Sequence, residues 1–264
     1  MATQSFLKNL NLRSRQKVIN LVNALEMSEK NSDRQVTMQK SVNELKGEQA
    51  KEIAKKNQVD CVMTGYETIN LIDLLDSLGE QKLATSLKNF LCPYNADVED
   101  FLQNKAITFA RQNLATVWLV LTSYKGEIVP AGYFALTLKS THIDLKKVGS
   151  NLRKRLSKFA TFNRELGKYI LSAPLIGQLE KNYACNFDKL ITGDELLNIA
   201  CEKVKEGQRI FGGKAVYLEC EDVPALIEFY RRNDFFEFGS RSLDREEKGT
   251  MKTQSLRQFI KYLK

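Results

Sequence analysis

Histidine is nearly absent from this chain: His142 is the only one in 264 residues. Any triad or zinc site built on imidazole would have to use it. It sits in Thr141-His-Ile-Asp144 at the end of a predicted strand, where a partly exposed structural residue is the expectation. The five cysteines, Cys61, Cys92, Cys185, Cys201 and Cys220, include no C-x-x-C pair, which argues against a zinc ribbon or finger and against a disulfide scaffold. No metal is expected. Long hydrophobic runs are missing too. The longest strictly apolar stretch, Val117–Leu121, is far short of the ~20 residues a spanning helix needs. The opening MATQSFLKNLNLRSRQ has no apolar segment followed by a cleavage site, so the expectation is a cytoplasmic protein without a membrane partner. Proline is scarce as well, and all four prolines lie beyond residue 92.

What the chain does have is cationic charge. Lysine and arginine number 40 against 32 acids, a formal net charge of +8. That surplus suits nucleic acid, a phosphate-rich cofactor or an anionic surface, and equally a soluble basic protein. Residues 1–60 carry 11 basic and 7 acidic side chains with one glycine and one aromatic, Phe6. Val18, Leu21, Val22 and Leu25 repeat with helical spacing, a more polar helix is predicted over 32–56, and Ile69–Leu78 reads as a short helix closing at Gly79. Residues 1–80 are thus read as a helical extension and 81–264 as the main domain.

Beyond residue 84 strands and helices alternate. Leu87–Cys92 is predicted as a strand and Asp97–Gln112 as a helix. Ala115–Ser123 and Ile128–Lys139 flank the turn Tyr124-Lys-Gly-Glu127 and read as a hairpin. Tyr169–Leu179 is a further strand, Gly193–Gly207 a helix, Ala215–Glu219 a short buried strand and Val223–Asn233 a helix. Ser255–Leu263 could be either. The order implies an α/β fold: a mixed β-sheet flanked by helices, preceded by the all-helical extension.

Three segments within this order resemble the toxin-type branch of the GNAT superfamily of acyl-CoA-dependent N-acetyltransferases. Cys92-Pro-Tyr-Asn-Ala-Asp-Val-Glu-Asp-Phe-Leu102 is similar to its opening strand and helix. Leu175-Ile-Gly-Gln-Leu-Glu-Lys-Asn182 with Leu190-Ile-Thr-Gly-Asp-Glu-Leu-Leu197 is similar to its central strand, pyrophosphate loop and helix start. Glu228-Phe-Tyr-Arg-Arg-Asn-Asp-Phe235 is similar to its Phe-Tyr-x-x-x-Gly-Phe signature. The superfamily pattern Gln/Arg-x-x-Gly-x-Gly/Ala falls on Asp188, Ile191 and Gly193, of which only Gly193 fits, and Asp234 stands where the last signature has glycine.

The resemblance implies acetyl-CoA as cosubstrate. Its pyrophosphate would rest on the loop and helix start at Lys189, Thr192 and Gly193, where backbone N–H groups converge. Thr192-Gly-Asp-Glu195 is also a capping box, and its two acids suit a helix dipole better than a phosphate. The pantetheine arm and acetyl carbonyl would lie along Gly177, Gln178 and Leu179. Tyr230 would be the general acid toward the departing thiolate, although a helix tyrosine packed beside Phe229 is also simply core. Glu180 is the nearest carboxylate, and no base is assigned.

Lys146–Lys168 holds eight basic residues, among them Arg153, Lys154, Arg155 and Lys158, against one acid, Glu165. With Phe159 and Phe162 interspersed, it suits RNA backbone and base stacking, or an exposed charged loop. Expected partners are therefore an unidentified amine acceptor and, through this stretch, a nucleic acid such as tRNA, with a homodimer left open. Two functions remain: an N-acetyltransferase acting on an amine, including an RNA-linked or aminoacyl one, or a non-catalytic GNAT-like module that binds nucleic acid or protein.

Overall fold

A computed structural model of the chain describes residues 65–245, 247–249 and 253–263. The helices expected over 18–25 and 32–56 lie outside the described residues. The first elements are a short strand β1 (Glu67–Asn70) and helices α1 (Leu71–Leu78) and α2 (Glu80–Leu87). Asn70 caps α1 by accepting the Ile72 N–H at 3.0 Å, and Gly79, at φ +79°, ends it as expected. Asn95 then caps the helical stretch α3 (Ala96–Asp100), which passes through a π turn (Phe101–Lys105) into α4 (Ala106–Arg111).

The hairpin forms where predicted. Strands β2 (Thr116–Tyr124) and β3 (Glu127–Asp144) join through Lys125 and Gly126, both at positive φ, as a tight antiparallel turn requires. His142 lies exposed near the end of β3. Helix α5 (Ser150–Leu156) and strand β4 (Thr161–Asn163) lead to β5 (Lys168–Lys181), α6 (Gly193–Phe211), β6 (Ala215–Glu221), α7 (Pro224–Arg232), β7 (Phe236–Ser242) and β8 (Ser255–Tyr262). The strands make one mixed sheet in the order β1-β2-β3-β5-β6-β8-β7, with β4 paired to β5 off that path. β5 and β6 are its parallel pair, connected through α6.

Alternation along the strands sorts the core between two faces. Tyr133 and Ala135 belong with Leu71, Leu74, Leu102 and Ala106 from the first helices. Phe134, between them in β3, points the other way, into the cluster of Leu196, Ala200, Val204 and Tyr230 under α6 and α7. A third cluster, with Leu156, Leu171, Leu175, Tyr217 and Phe238, seats α5 against the sheet.

Several expectations change. The boundary near residue 80 cuts across the first cluster: β1 pairs with β2, and Leu71 and Leu74 are fully buried. Leu87–Cys92 is the end of α2, a turn at 88–89 and an irregular segment instead of a strand. Phe90 and Cys92 are anchored in the core, and the Leu91 backbone is taken up by Asn182 and Tyr183 in place of a neighbouring strand. The basic stretch is no loose loop, because the buried Val148 and Leu156 anchor it while its cations stay exposed. Ser255–Leu263 is a strand, and β1 and β7 are additions the periodicity did not reveal.

Candidate active site

The site is an opening in the sheet. Antiparallel pairing of β3 with β5 slips by one residue between Ala135↔Gln178 and Leu136↔Ile176, so Gly177 is an extra residue, a β-bulge. On the other side, β5 pairs with β6 only at Leu175↔Tyr217 and Ile176↔Leu218. Past the bulge β5 stays with β3 while β6 stays with β8, and the two parallel strands fork. The edge of 177–181 that faces β6 thus has no ladder partner. Gly177 is exposed, and nothing lies within 4 Å of where its Cβ would be. Gln178 and Leu179, the other expected contacts, line the same edge.

Tyr230 comes to this fork from α7, which starts with Pro224 in its first turn. Its ring is held among Phe229, Phe235 and Phe259 at centroid distances of 5.0, 5.9 and 5.8 Å. The residue is 9% exposed, and its hydroxyl makes no hydrogen bond among the described residues. Burial raises its pKa well above that of free tyrosine, with the Cys220 and Glu180 charges adding to the effect. The sequence allowed either a core ring or a proton donor; the structure packs the ring in the cluster under α6 and α7.

Glu180 lies on β5 opposite Tyr133 of β3, on the sheet face of the first helices, and its charge reaches Tyr230. Its carboxylate accepts the Lys181 N–H at 3.0 Å, yet burial dominates over that bond and the neighbouring Cys92 thiol and holds its pKa above the usual carboxylate range. Cys92 is pushed up to about 12 by burial and then by Glu180, and Cys220 also to about 12 by burial first, so both remain thiols at neutral pH. On the β6 side, Glu219 accepts from Gln258 at 2.8 Å and from Arg241 at 2.7 Å, pinning β6 to β7 and β8.

The start of α6 lies beside the fork. The capping box forms: Thr192 Oγ1 accepts the Glu195 N–H at 3.2 Å, and Glu195 accepts the Thr192 N–H at 2.8 Å. Asp194 is drawn away to Arg232 at 3.1 Å and Asn233 at 2.7 Å. Both acids of the first turn are thus tied back, leaving the N–H groups of Gly193 and Asp194 without intrahelical partners. A Cβ on Gly193 would come within 3.1 Å of the Phe229 ring, so glycine lets α6 approach α7. Lys189 is exposed nearby. Ile191, at the signature's central glycine position, is 2% exposed and fills the core instead of meeting a ligand. Asp234 adopts φ +62°, the left-handed conformation that glycine takes easily and Asp or Asn tolerates.

Asn182 and Asn95 are contributions that residue type did not single out. Asn182 is 1% exposed; it accepts the Leu91 and Ala184 N–H groups at 3.2 and 3.0 Å and donates to the Pro130 carbonyl at 2.9 Å. It thereby ties the 91–95 segment to the end of β5. No local signal could reveal this, since its partners are distant in sequence.

Arg153, Lys154, Arg155 and Lys158 are exposed on and just after α5. They stand near the beginning of β5, whereas the fork opens near its end, so the fold does not gather them with Tyr230 and Glu180. Among the described residues no group of His, Cys, Asp and Glu is arranged to hold a metal, and no helix is long and apolar enough to cross a membrane.

No family model matches the sequence, and no curated protein matches it. Among solved structures, the chain is similar to a crystal structure described as a bacterial toxin, with 16% identity over 76% of this chain and 92% of that one and a TM-score of 0.48. It is similar to AtaT complexed with acetyl-methionyl-tRNAfMet, with 12% identity over 73% and 94% of the two chains and a TM-score of 0.47. It is also similar to a point mutant of KacT, with 11% identity over 74% and 94% and a TM-score of 0.47.

Proposed function

We propose that this protein transfers an acetyl group from acetyl-CoA to an amine, and that the amine is carried on RNA. The observation that supports this most is the fork: a bulge at Gly177 parts two parallel strands, and Tyr230 is packed near enough to feel the charges of Glu180 on one strand and Cys220 on the other. An extended thioester arm needs such an edge of unpaired backbone N–H and C=O groups, and Gly177, Gln178 and Leu179 supply it. The first N–H groups of α6, with Lys189 beside them, suit the cosubstrate's pyrophosphate.

The residues divide the chemistry as follows. Glu180, with its raised pKa, accepts a proton as the amine nitrogen bonds to the thioester carbonyl carbon. Backbone N–H groups of the β5 edge stabilise the negative charge that develops on the carbonyl oxygen. As the C–S bond breaks, Tyr230 gives its proton to the sulfur; raised well above neutrality, it holds that proton until then. The products are an N-acetyl group and free CoA thiol. The basic run Arg153–Lys158 supports RNA as the carrier through phosphate contacts.

The test is calorimetric titration with acetyl-CoA, followed by transfer of labelled acetyl to aminoacyl-tRNA and to free amines. Binding with transfer to the RNA-linked amine is the expected result. No acetyl-CoA binding, with RNA binding retained, would leave a non-catalytic RNA-binding module. Transfer to free amines alone would remove RNA from the reading.

A further inference from the structure

At the C-terminal end of α6, away from the fork, a cavity of about 610 Å³ is lined by Arg155, Lys205, Arg209, Lys214, Gln208 and Tyr262, among others. The cations come from separate parts of the chain: Arg155 from α5, Lys205 and Arg209 from α6, and Lys214 from the turn before β6. Lys205 is bound to Glu202 at 2.5 Å. Arg155, Arg209 and Lys214 have no carboxylate within ion-pair distance among the described residues. Arg209 sits in the last turn of α6, where the helix dipole favours a cation, but that reason does not extend to Arg155 or Lys214. Gathering unpaired positive charges in one hollow costs folding free energy unless an anion joins them.

Two more features point the same way. The Tyr262 hydroxyl is buried without a hydrogen-bond partner among the described residues, a donor lacking an acceptor. The Tyr262 ring carries the Arg155 guanidinium at 5.4 Å on its face and packs edge-on to the half-exposed Phe159 at 5.5 Å. Cations with aromatic faces are the combination that holds a nucleic-acid strand: oxygens for the cations and hydroxyl, ring faces for a base. The volume exceeds one phosphate and suits a nucleotide unit. Arg153, Lys154 and Lys158 carry the charge outward from the cavity.

We propose that this cavity is a phosphate-anchoring site for single-stranded RNA, separate from the fork, formed by Arg155, Arg209, Lys214 and the Tyr262 hydroxyl. It rests on the reading of RNA as the acceptor's carrier, and it assigns one part of that RNA to the end of the sheet opposite the chemistry.

The experiment uses the full chain and a short fluorescein-labelled oligouridylate, with anisotropy read across a salt series. Arg209→Glu combined with Lys214→Glu should weaken binding by about tenfold or more. The slope of log K against log salt should fall by about 1.4, two contacts at ~0.7 each for single strands. Acetyl-CoA affinity in the same variant should not change. Tyr262→Phe, which removes the orphan hydroxyl, should weaken RNA binding while leaving the melting temperature equal or higher; a purely structural tyrosine would give no RNA effect. Should the reversals prevent folding, the exposed pair Arg209→Gln and Lys214→Gln serves with the same readout. Unchanged affinity and slope in the cavity variants overturns the site. If RNA binding is lost only on reversing Arg153 and Lys154, the RNA reading survives and the cavity is excluded. Inorganic pyrophosphate binding to the cavity without oligouridylate binding overturns the assignment to RNA.

Discussion

The side-chain amide of Asn95 donates to the Glu221 carboxylate at 3.3 Å, while its oxygen accepts the Asp97 and Val98 N–H groups at 3.1 and 3.2 Å. One residue therefore caps α3 and reaches the end of β6. Since Leu91 is bound to the end of β5, residues 91–95 run from one arm of the fork to the other. Asn95→Ala should destabilise the protein by about 1–2 kcal/mol, mostly through the lost cap. Glu221→Ala should cost less than about 1 kcal/mol, as expected of a half-exposed partner. Urea denaturation of both single variants and the double variant checks this, and a coupling of about 0.5 kcal/mol is expected. Equal costs for the two single variants would show that the cap contributes nothing.

Tyr230→Phe keeps the ring among Phe229, Phe235 and Phe259 and removes a hydroxyl that bonds to nothing among the described residues. Turnover should fall by about ten- to a thousandfold, with the smaller loss reflecting rescue by water. Melting temperature and acetyl-CoA affinity should barely move. Turnover within twofold of the parent on a demonstrated acceptor would remove Tyr230 from the chemistry.

Glu180 links function to stability through its proton. Burial raises its folded-state pKa above the unfolded value, so its contribution to stability is complete below the unfolded range and is lost as pH rises through the folded value. Glu180→Gln keeps an acceptor for the Lys181 N–H but carries no charge. At neutral or alkaline pH it should melt higher than the parent, with the difference shrinking on acidification, while turnover drops by about 10²–10⁴-fold. Melting curves across pH alongside rate measurements test both halves. A lower melting temperature at high pH would mean that the buried charge is well satisfied.

Asp234 occupies a left-handed position, so Asp234→Gly should be neutral or stabilising by up to about 1 kcal/mol. Asp234→Val, β-branched, should destabilise by about 1–2 kcal/mol or more. Chemical denaturation distinguishes the two, and equal effects would show that the backbone there relaxes freely.

A chain starting at residue 66 should fold, and one starting at 82 should not. The shorter form lacks β1 and the buried Leu71, Leu74 and Leu75, each worth about 1.5–3 kcal/mol of burial. That sum rivals the 5–15 kcal/mol that holds a typical domain together, here an order-of-magnitude guide. Circular dichroism and solubility of the two forms decide the point; a folded, cooperative chain from 82 would place the domain boundary back near 80.

The sequence by itself determined the elements whose causes are local. Lys125-Gly126 between two alternating runs sets the β2–β3 turn, Thr192 and Glu195 start α6, Gly79 stops α1, and the apolar spacing of 193–204 buries one helix face. Tyr230 was legible as a candidate because its neighbours carry a recognisable string. The tertiary structure alone decided whatever depends on partners distant in the chain. β1 is too short to show periodicity and exists because β2 offers an edge. Leu87–Cys92 carries strand-like residues but has no strand to pair with, so Asn182 and Tyr183 bind its backbone instead. The fork comes from a one-residue slip between β3 and β5, a register that no single strand encodes. Arg155 meets Arg209 and Lys214 only because α5 is seated by Leu156 on the same sheet that α6 crosses. Local propensity chooses an element, but ladder register and shared burial choose which side chains face one another, and those are set by the whole fold at once.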